Sequence, residues 1–334
     1  MKRIATAIAL AVLVVGAVAG CGGSSPTPAA GSAAPGTTQK VTLTLNWVPY
    51  GEHAPFYYGV KKGFYAAEGI DLTIKAGTGS GTTIQQVDQK NTTFGWADTP
   101  VLLNSVAKGM KVKSLGVFLQ KGPSSIESLA DKNIKSPADL KGKKIGGTPG
   151  DALYATFPAW LKANGLSTSD VTIVNLDAAG KIAALSEGRV DAIMGFFHDQ
   201  GPTIEGKTGK KVSYLLYADY GMNMLGTGIV ANTDALAANP DLARRFVRAT
   251  QKSWAEAAKD IPGAVQAMVG MAPNEPPQTV LTKQLTLCLP LLGSGTPGVD
   301  NASDWTNTVG LISKYGTLKS PGTPDTYWDS AYAK

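Results

Sequence analysis

Apolar and polar positions change period several times along this chain, and the changes mark its elements. In "KVTLTLNW", Val41, Leu43 and Leu45 alternate with Thr42 and Thr44, the period of two that belongs to a half-buried strand. A helical pattern runs from about Pro55 to Ala67 and stops near Gly69, and "IDLTI" is the next strand. "GTGSGTT" opens a second helix through "TIQQVDQ", and "FGWA" closes the unit as a short strand. From Lys143 the order repeats: strand "KKIGG", helix "ALYATFPAWLKANG", strand "VTIVNL", helix "GKIAALSEG", strand "RVDAIMG". Gly165 ends the first of these helices where a left-handed cap is needed. Two units with one order of elements predict an α/β fold of two lobes, each with a largely parallel sheet.

"SLGVFLQKG" leads out of the first unit into a loop marked by "GPSS", and "SYLLYADYGMNMLGTGIVAN" leads back. The rest of the chain reads as helices with no new sheet to cover, so it is assigned to the first lobe. The expected organisation is lobe 1 at residues 41–119 and 222–334, lobe 2 at 120–221, and a double crossover hinge between them. Ligands of open α/β sheets bind beyond the carboxyl ends of the strands, so the strand-end loops should line a cleft. From lobe 1 these supply Asn46, Trp47, Tyr50, His53 and Phe56, then Ser80 and Thr82, then Asp98 and Thr99. Ser124 stands at the hinge; lobe 2 offers Thr148, Gly150, Asp151, Phe196 and His198. An aromatic cluster in such a loop is best explained by a pocket.

The first twenty residues lie outside this pattern. Lys2 and Arg3 precede an apolar run from Ile4 to Val18, the layout of a secretory signal and too short to favour a membrane span. The closing "VAGC" resembles the lipobox of bacterial lipoproteins, which implies lipidation at Cys21. Residues 22–40 are a Gly/Ser/Pro/Ala tether with a reach of roughly 20–25 Å. The expected location is therefore the outer face of the cytoplasmic membrane, anchored by lipid. Cys288 is the only other cysteine, so with Cys21 lipidated no disulfide forms within the chain.

Charge narrows the function class. The net charge of +6 and pI of 9.1 come from scattered lysines; "KGKK" and "KTGKK" are short and carry no stacking aromatics, which excludes a nucleic-acid surface. All five arginines (Arg3, Arg189, Arg244, Arg245, Arg248) fall outside the strand-end loops, where a bound sulfonate or phosphate would recruit a guanidinium. The loops offer Glu52, Asp98, Asp151 and Asp199 beside Trp47, Tyr50, Phe56, Phe196 and Phe197. That set suits a flat, neutral or weakly basic ring. "GTGSGT" lacks the third glycine of a dinucleotide fingerprint and the lysine of a phosphate loop. His53 and His198 have no metal-ligand spacing, and no nucleophile elbow or carboxylate pair is present. No metal, cofactor or catalytic activity is expected, and the protein is expected to be a monomer.

The stretch "LNWVPYGEHAPFYYGVKKGFYAAEGIDLTI", with "GTGSGTTIQQV", "FGWADTP", "SPADLKGKKIG" and "ALSEGRVDAIMG", resembles the solute-binding proteins of ABC importers. The nearest branch is the one related to thiamine-pyrimidine synthase, which includes riboflavin, sulfonate and nitrate binders. The resemblance implies a two-lobed, cluster-F-like periplasmic binding fold of type II that closes around a small nutrient, with an ABC permease and its ATPase as partners. "NWVPYGEH" is similar to the first loop of members that bind thiamine-precursor pyrimidines, which gives Trp47, and then Tyr50, the role of stacking on the ring. A sulfonate, nitrate, riboflavin or other small organic solute is the alternative ligand. The resemblance also implies a comparison with the eukaryotic synthase of the family, which carries a cysteine-rich motif in the second lobe; the matching "GDALYATFPAW" has no cysteine, which counts against synthase activity.

Overall fold

Strand β1 (Gln39–Thr44) buries Val41 and Leu43 and leaves its threonines half exposed, as the alternation requires. This computed structural model describes residues 38–271, 275–316 and 318–334, which belong to one compact unit; the signal, Cys21 and nearly all of the tether lie outside them. Lobe 1 continues with β2 (Ile70–Lys75), β3 (Phe94–Asp98) and β4 (Val112–Val117). Then come β5 (Ser124–Leu129), β6 (Lys144–Gly147), β7 (Thr172–Asn175), β8 (Ala192–Phe196), β9 (Val212–Leu216) and β10 (Thr227–Asn232). They form two five-stranded sheets of matching order, β2-β1-β3-β10-β4 and β7-β6-β8-β5-β9.

One strand in each sheet runs antiparallel to both its neighbours: β10 in the first and β5 in the second. Both follow directly on a crossing, β5 after the outward one and β10 after the return. The two crossing segments are hydrogen-bonded to one another. The N–H groups of Phe118 and Leu119 donate to the Thr227 carbonyl, and Gly226 N–H donates to Leu119 at 2.8 Å. The "GPSS" stretch, expected as a loop, actually begins β5. Its signal is hidden because Glu127, fully buried in mid-strand, interrupts the apolar run.

Beyond β10 the chain is helical, but it does not serve the first lobe alone. Helix Gln278–Cys288 packs on both the Gly51–His53 turn and helix Gln200–Thr208. Helix Ala302–Tyr315 touches Thr99–Ala107 of one lobe and Ala152–Ala163 of the other.

Helix Ala54–Lys61, with Pro55 in its first turn, turns Phe56 inward. The ring is fully buried, edge-on to Trp96 at 5.0 Å and to Trp254 at 6.0 Å, while Trp96 and Trp254 stack at 5.4 Å. Phe56 is thus a core residue and not part of the cleft. A helix starting directly behind the loop rotates its first apolar position onto the sheet. Phe56→Ala should cost about 3–5 kcal/mol of stability in denaturant unfolding, while calorimetric ligand affinity of the folded protein stays unchanged.

Candidate ligand-binding cleft

The carboxyl ends of β1, β3 and β8 meet the start of helix Ala152–Ala163 around a narrow chamber. Asn46, Trp47, Ser80 and Asp98 line it from lobe 1; Asp151, Leu153, Lys181, Phe196, Asp199 and Gln200 line it from lobe 2. The lobes are nearly shut. Gly81 N–H donates to the Gly150 carbonyl at 3.1 Å across the seam, and a Cβ at Gly79 would stand 2.7 Å from that same oxygen. Only glycine allows this backbone-to-backbone approach, and Gly79 has the positive φ of 144° that favours it. A ring must therefore enter while the lobes are apart.

Trp47 and Phe196 are buried aromatic walls. Lys181, only 1% exposed, projects its ammonium over the Trp47 ring at 4.9 Å from the centroid, a cation–π contact. Its Nζ also donates to Asp151 Oδ2 at 3.2 Å and to the Met194 carbonyl at 3.0 Å. Asp151 Oδ1 meanwhile caps helix Ala152–Ala163 by accepting from Tyr154 N–H. Lys181 was not expected here. It sits in the helix read as "GKIAALSEG", where a single lysine in the first turn looks solvated.

Asp98 holds the other side. Its Oδ2 accepts from Ser80 Oγ at 2.6 Å and from Asn46 Nδ2 at 3.4 Å. Behind Asn46 stands His53, buried, with Nδ1 accepting from Tyr50 N–H and Nε2 2.9 Å from Asn46 Oδ1. Burial holds the His53 imidazole down to about 4, so it is neutral and its Nε2–H donates. His53 positions Asn46 and does not line the chamber. Burial likewise pushes Asp98 up to about 7, opposed by the Ser80 bond and helped by Glu52. Asp199 rises to about 8 through burial, opposed by Lys181. Its Oδ1 accepts from Gln284 Nε2 at 3.1 Å. Two carboxyls that ionise near neutrality can donate to or accept from a ligand.

Glu52 and His198 form a joint between the lobes, away from the chamber. Both are fully buried, with His198 Nε2 2.7 Å from Glu52 Oε2. Tyr50 O–H also donates to Glu52 Oε2, and Trp96 Nε1–H donates to Oε1 at 2.6 Å. Burial alone would raise the Glu52 carboxyl, but His198, His53 and the Tyr50 bond together hold it below its usual range. The buried Cys288 thiol lies beside this pair, its Sγ within 4.8 Å of the ligand-type atoms of both. Because the donors on Glu52 come from both lobes, the group works as a hydrogen-bonded hinge pin.

The remaining expected residues are dispersed. Thr82 is exposed, its hydroxyl bonded to the Gly79 carbonyl on the outer surface, because the helix turns it away from the strand ends. Thr99 Oγ1 donates to the Gly226 carbonyl at 2.8 Å, fixing the return crossing. Gly150 forms the seam. Thr148 Oγ1 is buried without a partner among the described residues, and Ser124 lines a neighbouring chamber with Asp98.

A family model described as NMT1/THI5 like matches residues 51–262. The riboflavin-binding protein RibY of Chloroflexus aurantiacus is 30% identical over 262 residues, covering 75% of this chain and 73% of that one. The formylaminopyrimidine-binding protein of Halalkalibacterium halodurans is 21% identical, covering 85% and 87%. Relatives also include 4-amino-5-hydroxymethyl-2-methylpyrimidine phosphate synthases, for example that of Legionella pneumophila at 25% identity, covering 83% and 86%. Among solved structures, the alkanesulfonate-binding protein SsuA of Xanthomonas axonopodis pv. citri superposes with a TM-score of 0.68 at 15% identity, covering 88% of this chain and 99% of that one. The fold is that of the periplasmic binding proteins.

The Asp98 value fixes a pH dependence. The folded carboxyl titrates near 7 against an ordinary value of 3.8, so the fold holds this proton more tightly than the unfolded chain does. Its stabilising contribution is complete below the ordinary value and is lost as pH rises through about 7. Asp98→Asn should therefore melt at a temperature that gains on the wild type from pH 5 to about pH 7 and levels off above it; a constant difference across pH 5 to 7 in calorimetric scans would contradict the assignment.

Proposed function

The chain belongs to the NMT1/THI5-like family, and on that footing we propose that it is the extracytoplasmic receptor of an ABC importer for a flat nitrogen heterocycle. That class holds the thiamine-precursor pyrimidines expected from the sequence as well as the flavin ring system. The observation that carries this reading is the composition of the chamber. Two aromatic side chains, Trp47 and Phe196, line it together with carboxyls that can meet ring N–H groups, and the single ammonium is already engaged by Asp151. A sulfonate or nitrate would bring a full negative charge into a chamber lined, among the described residues, by no arginine and whose one ammonium is paired with Asp151, which the low dielectric of the closed cleft makes unfavourable.

Closure itself does the work of a receptor. A ligand that touches both lobes only when they are shut shifts the open–closed balance by its differential affinity, and a permease and its ATPase read the closed shape. No turnover is required, and Cys288, the one thiol in the described residues, lies outside the chamber. Trp47→Ala should weaken binding of 4-amino-5-hydroxymethyl-2-methylpyrimidine or riboflavin by about 1–3 kcal/mol, the range for a lost stacking anchor. Isothermal titration checks this, and tight binding of an alkanesulfonate in place of any heterocycle would refute the reading.

Anchoring belongs to the same proposal. The "VAGC" site and the tether suit a lipid on Cys21 and a monomer held close to its permease. Cys21→Ser should move the protein from the membrane pellet to the soluble fraction on ultracentrifugation; continued pelleting would exclude the lipid.

A further inference from the structure

Lys181 and Trp47 belong to different lobes, yet in the shut cleft the lysine ammonium stands over the indole ring, 4.9 Å from its centroid. Both side chains line the chamber, and the free space left beside them is that of about one water. A ring that stacks on Trp47 therefore needs the place that the ammonium holds. Lys181 carries its charge on a flexible four-carbon stem, which makes it the longest unbranched side chain of the lining.

A second acceptor for that ammonium lies deeper in the lobe. Glu127 is fully buried in mid-strand, and its Oε2 has no hydrogen-bond partner among the described residues. An orphan carboxyl oxygen in the interior is costly to keep. Glu127 is paired in register with Ile193 of β8, so the two share one face of the sheet. Helix Ala178–Ser186, which carries Lys181, packs against both strands. The backbone of β8 links the two groups. Lys181 Nζ donates to the Met194 carbonyl at 3.0 Å, and at the next residue a Cβ on Gly195 would stand 2.4 Å from Glu127 Oε1. The carboxyl thus rests on backbone that has no side chain to screen it. The Lys181 charge acts on Glu127, opposing the rise that burial and then Asp199 impose on its carboxyl.

We propose that Lys181 is a placeholder for the ligand: a ring arriving on Trp47 displaces the ammonium, which swings inward to Glu127 Oε2. The inference rests on the heterocycle reading above and adds a residue that sets what can bind. Both positions of the ammonium are built in advance, one on Asp151 and Trp47 and the other on Glu127, and the Met194 carbonyl serves both. Displacement frees Asp151 Oδ2 to accept a ring N–H, while Oδ1 stays on the Tyr154 N–H. The ammonium is neutralised at either position, so the chamber gains no free cation with which to hold a sulfonate or nitrate. A solute that cannot cover the Trp47 face leaves the ammonium where it is. Selection for flat rings thus comes from the lysine as much as from the tryptophan.

The test is a double-mutant cycle in isothermal titration with two probes, riboflavin and 4-amino-5-hydroxymethyl-2-methylpyrimidine. Glu127→Gln puts an N–H donor where the displaced ammonium needs an acceptor, and its carbonyl keeps the bond from Ser125. It should weaken binding of whichever probe the wild type holds by about tenfold, the equivalent of one charge-assisted hydrogen bond. The unliganded melting temperature should stay the same. In a Lys181→Met, Asp151→Asn background, which removes the ion pair as a unit, the same change should alter affinity by less than about twofold. An equal loss in both backgrounds, or no loss in either, overturns the displacement. Should the background variant not fold, a crystal structure of the wild type with its probe decides alone. Nζ within hydrogen-bond reach of Glu127 supports the displacement, and Nζ still over Trp47 excludes it while leaving the heterocycle reading intact. If neither probe binds the wild type, the heterocycle reading falls and this inference with it.

Discussion

A carboxylate with no access to water holds the two halves of this protein in register. Placing the Glu52 charge in the interior would cost several kcal/mol if it were left bare. The protein compensates with donors from three directions: Tyr50 from its own loop, Trp96 from β3 and His198 from the other lobe. Two of the three are fixed by lobe 1 itself. The third ties the orientation of lobe 2 to the end of β8, one residue before Asp199 and two after Phe196. The position of the chamber walls therefore depends on a contact that lies outside the chamber. Gln284 reinforces it, accepting from Gly51 N–H and donating to Asp199 and Thr203.

This arrangement separates the residues that shape the cleft from those that face it. His53 is neutral and outside the chamber lining, yet it fixes the orientation of Asn46, and Asn46 in turn meets Asp98. Asp151 spends one oxygen on a helix start and the other on Lys181. The chamber is thus built from groups whose own partners are already assigned. Such preorganisation lets a receptor gain affinity without ordering loose side chains at the moment of binding. Asp98 and Asp199, held near the point of ionisation, are the parts that can still adapt.

Much of the framework was legible in the sequence because it follows from period and punctuation. The alternation in "KVTLTLNW" and the glycine after "WLKAN" report directly on backbone geometry, and the repeated order of elements implied the paired sheets. What stayed hidden is side-chain direction. Phe56 and Trp47 are neighbouring aromatics on one loop, but a helix begins at Ala54 and turns Phe56 into the core. Thr82 and Ser80 are two residues apart on a helix and so cannot share a face. Lys181 was missed for the opposite reason. Its chain position looks solvated, and only the tertiary approach of Trp47 and Asp151 makes burial of its ammonium tolerable. Glu127 likewise concealed β5, since a buried acid in mid-strand contradicts the pattern by which strands are read.

The strand that completes each sheet is delivered by a chain segment arriving from the other lobe, and the consequence falls on the order of assembly. Sheet two draws all its strands from one uninterrupted stretch, Ser124 to Leu216. Sheet one needs β10 between β3 and β4, so it cannot be finished until a loop running from Val117 to Thr227 has closed. Closing so long a loop carries an entropic cost that local pairing does not. The second sheet can thereby be paired from contiguous chain, whereas the first waits on the return crossing.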